Sequence, residues 1–178
     1  MIKYCFYILF FSYFLFSSEI INKVNDQLNI LFPDYSIKAD KYNLESKLKK
    51  EIEKDVKQKF FRDDFYIWEI SKTDSNSYYA VLDNVIGKSM PITFLIIFKS
   101  DKSIYKTSII KYREPYGGEV GGKNWLEQFD AGTKISKFKV GKNINGITGA
   151  TISVHSVTKG INKLTHLIEH IINYINEE

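Results

Sequence analysis

The stretch Asn145-Gly146-Ile147-Thr148-Gly149-Ala150-Thr151-Ile152-Ser153 gathers residue types suited to an anionic ligand. Gly146 and Gly149 allow tight turns and close approach of a ligand to the backbone. Thr148 or Thr151 can cap a following helix through a side-chain oxygen. A helix start offers unpaired N–H groups and the positive end of the macrodipole, which favour a phosphate. The same pattern also serves a capped helix start that holds no ligand. No base adjacent to Thr151 makes it a turnover nucleophile. His166 and His170 are four apart, a spacing that can clasp a metal, but both fall opposite an apolar stripe and read as solvated. His155 stands one turn after Thr151. Carboxylates are scattered, with no pair suited to acid/base hydrolysis. The single cysteine, Cys5, lies in an apolar amino-terminal run. The rest of the chain therefore has no thiol for a disulfide, a metal or catalysis, and no metal site is expected.

Thr148-Gly149-Ala150-Thr151 resembles the S/T-G-A-T/S core of the FMN-binding domain family. That family includes the flavin-bearing subunits of the Rnf and sodium-translocating NADH:quinone reductase complexes. The resemblance extends to Gly87-Lys88-Ser89-Met90-Pro91-Ile92-Thr93-Phe94, to Tyr112-Arg113-Glu114-Pro115-Tyr116-Gly117-Gly118-Glu119 and to Trp125-Leu126-Glu127-Gln128-Phe129, in the same order and spacing. It covers roughly 78–171. It implies FMN joined by a phosphoester to Thr151, transferred from FAD by a separate FMN transferase. The family pattern carries Asp three residues before the S/T, where this chain has Asn145. Around the attachment point the resemblance implies a cofactor-binding set of Asn145, Thr148, Gly149, Ala150, Thr151 and Ser153. Tyr116, Trp125 and Phe129 are candidates for an aromatic slot against the isoalloxazine. Glu119 and the backbone at Gly117 and Gly118 could bond the ring's polar edge. Under this reading the protein is an electron carrier rather than a self-contained enzyme, with membrane or extracytoplasmic redox partner proteins. The rival readings are a flavin-free extracytoplasmic ligand-binding module of the same fold and a stand-alone flavin reductase.

The elements that must position these residues follow from composition and period. The 178 residues are 44% apolar and include 13 Phe and 12 Tyr, enough for one packed core. The formal net charge is only +4, and Arg62 and Arg113 are the only arginines. No nucleic-acid partner is expected. Met1-Ile2-Lys3 and the apolar run 4–16, followed by Ser17-Ser18, read as a signal peptide or membrane anchor over 1–18. As a helix the run spans about 20 Å, against about 30 Å for a hydrocarbon core. The chain is therefore expected to be exported, to the periplasmic or extracytoplasmic face of the membrane.

Helical spacing predicts a helix over 19–32 stopped by Pro33, and a charged helix over about 43–60, which together form an N-terminal helical segment over 19–60. Strands are predicted at 65–70, 78–86, 92–98 and 103–112, joined by short turns into an antiparallel meander. A glycine-rich loop over 114–122, a short helix over 124–129 and a strand over 135–140 follow. Val157, Ile161, Leu164, Ile168, Ile171 and Ile175 step by three and four, so a long helix from Thr151 to about Asn176 lays one apolar stripe on the core. The expected fold class is α+β: an antiparallel sheet flanked by helices, with the FMN-binding domain over 61–178.

Overall fold

The computed structural model describes residues 19–73 and 76–177, and the apolar amino-terminal run lies outside them. The chain divides into two compact units, 1–35 and 36–178. In the first, helix α1 (19–31) carries Val24 and Leu28 on its buried face, and Phe32, just past its end, is buried at the next four-residue step. Pro33 follows its last turn, and the Phe32 and Tyr35 rings meet edge to face at 5.4 Å. Among the described residues no helix is long and apolar enough to cross a membrane.

The second unit is a five-stranded antiparallel meander in the order β1-β2-β3-β4-β5. The strands are β1 (Ser36–Asn43), β2 (Asp64–Ser71), β3 (Tyr78–Ile86), β4 (Pro91–Lys99) and β5 (Ile104–Lys111). Helix α2 (Ser46–Val56) joins β1 to β2. After β5 come the 3-10 turn Gly118–Gly121, the short helix α3 (Lys123–Leu126), two further 3-10 turns and the long α4 (Thr151–Glu177). The fold class is α+β, as expected.

One face of the sheet is a row of β-branched and aromatic residues, among them Ile67, Val81, Phe94 and Ile96. Val157, Ile161, Leu164, Ile168 and Ile171 of α4 share one buried cluster with them. Each such side chain contributes on the order of 2 kcal/mol by leaving water. Gly160 lets α4 come close, since a Cβ there would stand 2.6 Å from Val85 Cγ1 and 2.9 Å from Phe94 Cζ. This packing sets the axis of α4, and with it the position of Thr151.

Three elements differ from expectation. Residues 36–43, which fall within the N-terminal helical segment expected over 19–60, form β1. It is an edge strand whose polar side chains face outward and of which only Tyr42 is buried, so it lacks the apolar alternation of an inner strand. Helix α2 is shorter than 43–60. Lys57 adopts a left-handed φ of 55°, and Glu53 then accepts from Phe60 N at 2.8 Å and Lys59 Nζ at 2.8 Å, closing the helix end. The expected strand over 135–140 is a 3-10 turn, Lys134–Ser136, followed by a loop. Left-handed φ values at Lys137 (45°) and Gly141 (79°) break any extended run. The side chain of Asn162 binds both Phe138 N (2.9 Å) and Phe138 O (2.7 Å), taking the place of a neighbouring strand.

The α4 face also buries one ion pair. Lys163 Nζ lies 2.9 Å from Asp83 Oδ2 on β3, with the two side chains 0% and 3% exposed, and 4.4 Å from the Phe60 ring centroid. Both charges are desolvated, so each is tolerated only in the presence of the other. Lys163→Met should destabilise the fold by about 3 kcal/mol, read as a lower urea midpoint, because it strands the Asp83 carboxylate. Adding Asp83→Leu should recover most of that loss.

Candidate functional site

The loop before α4 ends in a tight turn. Ala150 N donates to Ile147 O at 3.1 Å, and Gly149 takes a φ of +83°, as the third residue of a type II turn requires. A Cβ at Gly149 would meet nothing within 4 Å, so backbone conformation rather than space demands glycine there. The first helical bond then runs from Val154 N to Ala150 O at 2.9 Å. Among the described residues the amides of Thr151, Ile152 and Ser153 have no acceptor, the normal state of a helix's first turn. Thr148, Gly149 and Thr151 are exposed, whereas Ala150 and Ser153 are buried beneath them. The turn thus presents small residues, a free hydroxyl and open N–H donors at the positive end of a 27-residue helix.

The glycine-rich loop is held against this turn. Gly117 has a φ of +84°, and a Cβ on it would stand 3.0 Å from Ala150 Cβ and 2.8 Å from the Tyr112 hydroxyl oxygen. The Tyr112 hydroxyl, just past the end of β5, donates to Tyr116 O and takes a bond from Ser153 Oγ at 3.0 Å. One phenol therefore ties β5, the glycine loop and the first turn of α4 together. Val120 is buried and anchors the 3-10 turn, leaving Gly118, Glu119 and Tyr116 at the surface, with Tyr116 83% exposed.

A second set of bonds fixes the loop's beginning. Trp125 Nε1 donates to Asn145 O at 2.8 Å, and Asn145 N donates to Gln128 Oε1 at 2.8 Å. Asn145 is thus pinned by its backbone, with its residue surface exposed. A third set ties the hairpin between β3 and β4 to the glycine loop. Glu114 Oε1 accepts from Ser89 N (2.6 Å) and Met90 N (2.9 Å), and Oε2 accepts from Ser89 Oγ (3.1 Å). Its neighbour Arg113 donates to Pro91 O and to Thr93 Oγ1, each at 2.9 Å.

The structure therefore brings Asn145, Thr148, Gly149, Ala150, Thr151, Ser153, Tyr116, Gly117, Gly118 and Glu119 to one end of the sheet. Phe129 departs from its expected place in an open slot. It is fully buried, 5.2 Å from the Trp125 ring and 5.0 Å from the Phe138 ring, and has no free face to offer a ligand. Trp125, 7% exposed, packs with it and serves the site through its indole N–H. His155 is exposed one turn beyond Thr151; His170 is exposed and His166 half-buried. Sequence reading assigned no role to Tyr112, Gln128 or Glu114, whose partners lie 41, 17 and 25 residues away.

Trp125→Phe keeps the ring packing and deletes the bond to Asn145 O. It should cost about 1 kcal/mol in urea unfolding and raise amide exchange across 145–150. Glu114 is held below the ordinary carboxylate range by the amides of Met90 and then Ser89. A carboxylate with a depressed folded pKa adds stability that is present at neutral pH and lost as pH falls through that value. The melting temperature should therefore drop below about pH 4, and less steeply in Glu114→Gln.

No curated protein matches the chain. Residues 87–166, from the hairpin that Glu114 holds to the middle of α4, match the family model of the FMN-binding domain.

Proposed function

We propose that this protein carries FMN joined to Thr151 through a phosphoester and serves as an exported electron carrier at the membrane. The observation that carries the reading is the environment of the Thr151 hydroxyl. It is exposed at the first residue of α4, after a turn that only glycine makes without strain and beside open first-turn amides. Of the neighbouring hydroxyls, Ser153 is buried and engaged by Tyr112. Thr148 is exposed but precedes the helix.

Attachment is the work of a separate FAD-dependent transferase. Thr151 Oγ1 forms the new bond to the flavin-side phosphorus of FAD, the pyrophosphate bridge breaks, AMP leaves and the hydroxyl proton passes to solvent. The ester keeps one negative charge, which the helix start stabilises by about 0.3–1 kcal/mol. Ala150 and Gly149 crowd the attachment point least, and Gly117, Gly118, Glu119 and Tyr116 stand on the loop that touches Ala150. When bound, the flavin supplies one- or two-electron redox chemistry; the protein holds it and sets its surroundings. A covalent tether suits a surface site outside the cytoplasm, where a dissociated cofactor would be lost. This agrees with the apolar start of the chain read as a signal peptide or anchor. The redox partners are then proteins of the membrane or of the extracytoplasmic space.

Co-expression with a transferase, followed by a denaturing gel viewed for flavin fluorescence, tests the assignment. The native chain, Thr151→Ser and Thr148→Ala should fluoresce, and Thr151→Ala should be dark. A dark native chain, or a fluorescent Thr151→Ala, contradicts it.

A further inference from the structure

The loop over 133–143, which precedes the site, carries the most exposed large apolar side chain among the described residues. This is Ile135, 88% exposed at the apex of the 3-10 turn Lys134–Ser136. Around it Lys134, Lys137, Lys139 and Lys142 are all exposed. Among the described residues none of the four ammonium groups forms an ion pair, although Lys134 acts at longer range on Glu169 of α4. Their charge equals the formal net charge of the whole chain, +4, so the rest of the sequence is electrically balanced. No Asp or Glu occurs between Asp130 and Glu169. Residues 133–143 thus carry four exposed lysines, no carboxylate and one apolar tip.

The loop is built to hold that tip out. Thr133 and Ser136 form a reciprocal capping box around the turn, with Thr133 N donating to Ser136 Oγ at 2.9 Å. Asn143 accepts from Lys139 N at 2.7 Å and donates to Ser136 O at 3.2 Å. Asn162 grips both backbone groups of Phe138, whose ring is buried. Every one of these bonds rigidifies the loop, and none covers Ile135. An exposed isoleucine on a braced turn loses little entropy on entering an apolar medium.

We propose that this loop docks the protein onto an anionic lipid surface, with Ile135 inserted at the headgroup boundary and the four lysines among the phosphates. The composition separates a bilayer from a protein partner. Protein interfaces are enriched in Arg and aromatic residues and depleted in Lys, whereas this patch has lysine alone and a single aliphatic tip. Lysine is a flexible point charge suited to a fluid layer of phosphates without fixed geometry. A bilayer accepts one isolated apolar side chain without a complementary pocket. Asn162, which holds the loop on α4, lies about 16 Å along the helix from Thr151. Docking therefore keeps the end of α4 that bears Thr151 close to the membrane, while the inference itself does not depend on flavin attachment.

Co-sedimentation of the full chain tests this, comparing vesicles of 1:1 phosphatidylglycerol and phosphatidylcholine with vesicles of phosphatidylcholine alone, at low salt. Any contribution of the amino-terminal run is common to every variant. The native chain should prefer the anionic vesicles, with each loop lysine worth about fivefold. K134Q/K137Q/K139Q/K142Q should lose more than about 100-fold of that preference, and Ile135→Ser about fivefold. K47Q/K50Q/K54Q/K57Q, an equal change of charge on α2 and at its end, should retain it. Thermal melts that match the native chain show that the variants are folded. The proposal is overturned if the native chain binds both vesicles alike, if the loop variant keeps its preference, or if the α2 variant loses as much.

Discussion

The Tyr112 hydroxyl is the contact on which the geometry of the site depends. It closes a triangle between the end of β5, the carbonyl of Tyr116 and the hydroxyl of Ser153. The glycine loop and the start of α4 are far apart in the chain, and only such a contact can set their separation. Gly117 makes the approach possible, because any side chain there would overlap the same phenol and Ala150. The site is therefore a seam between two loops, each held from beneath by residues that take no part in the chemistry. Glu114 holds the neighbouring hairpin to the seam, and Trp125 and Gln128 hold its far edge at Asn145.

Deeper in the molecule, α4 is fixed twice over. Its apolar stripe and Gly160 fit it to the sheet by shape, and the Lys163–Asp83 ion pair adds a charge contact at one place on β3. Burial alone would tolerate a slide of α4 along the sheet more readily than a buried ion pair does, since a displaced ammonium would lose its only carboxylate in a dry environment. The position of the helix start follows from that register. Thr151, the first residue of α4, takes its place from that register.

How much of this was legible in the sequence varied with the kind of signal. The stripe from Val157 to Ile171 has the helical period over four turns, and α4 begins at Thr151 as read. Strand β3 also falls on 78–86 as read, because its run of apolar residues ends at Gly87. Strand β1 was not legible, because an edge strand that buries only Tyr42 has the composition of a linker. Residues 135–140 misled for the opposite reason. Ile135, Phe138 and Val140 suggest a strand, but one points into water and another is gripped by Asn162. The small-residue turn at Thr148–Thr151 was visible because it is local. Its supports at Tyr112, Gln128 and Glu114 were not, because their partners lie far along the chain. Trp125 and Phe129 show the same limit, since aromatic type does not reveal which ring is sealed in the core.

The proposed attachment turns on one atom, Thr151 Oγ1, within the stretch that matches the FMN-binding domain model. Trypsin cuts after Lys142 and Lys159, so a single peptide over 143–159 contains Thr148, Thr151, Ser153, Ser156 and Thr158. Fragmentation of that peptide, from protein purified from its native host, should place the mass of FMN less one water on Thr151. An unmodified peptide, or the same mass on any of the other four hydroxyls, would contradict the account.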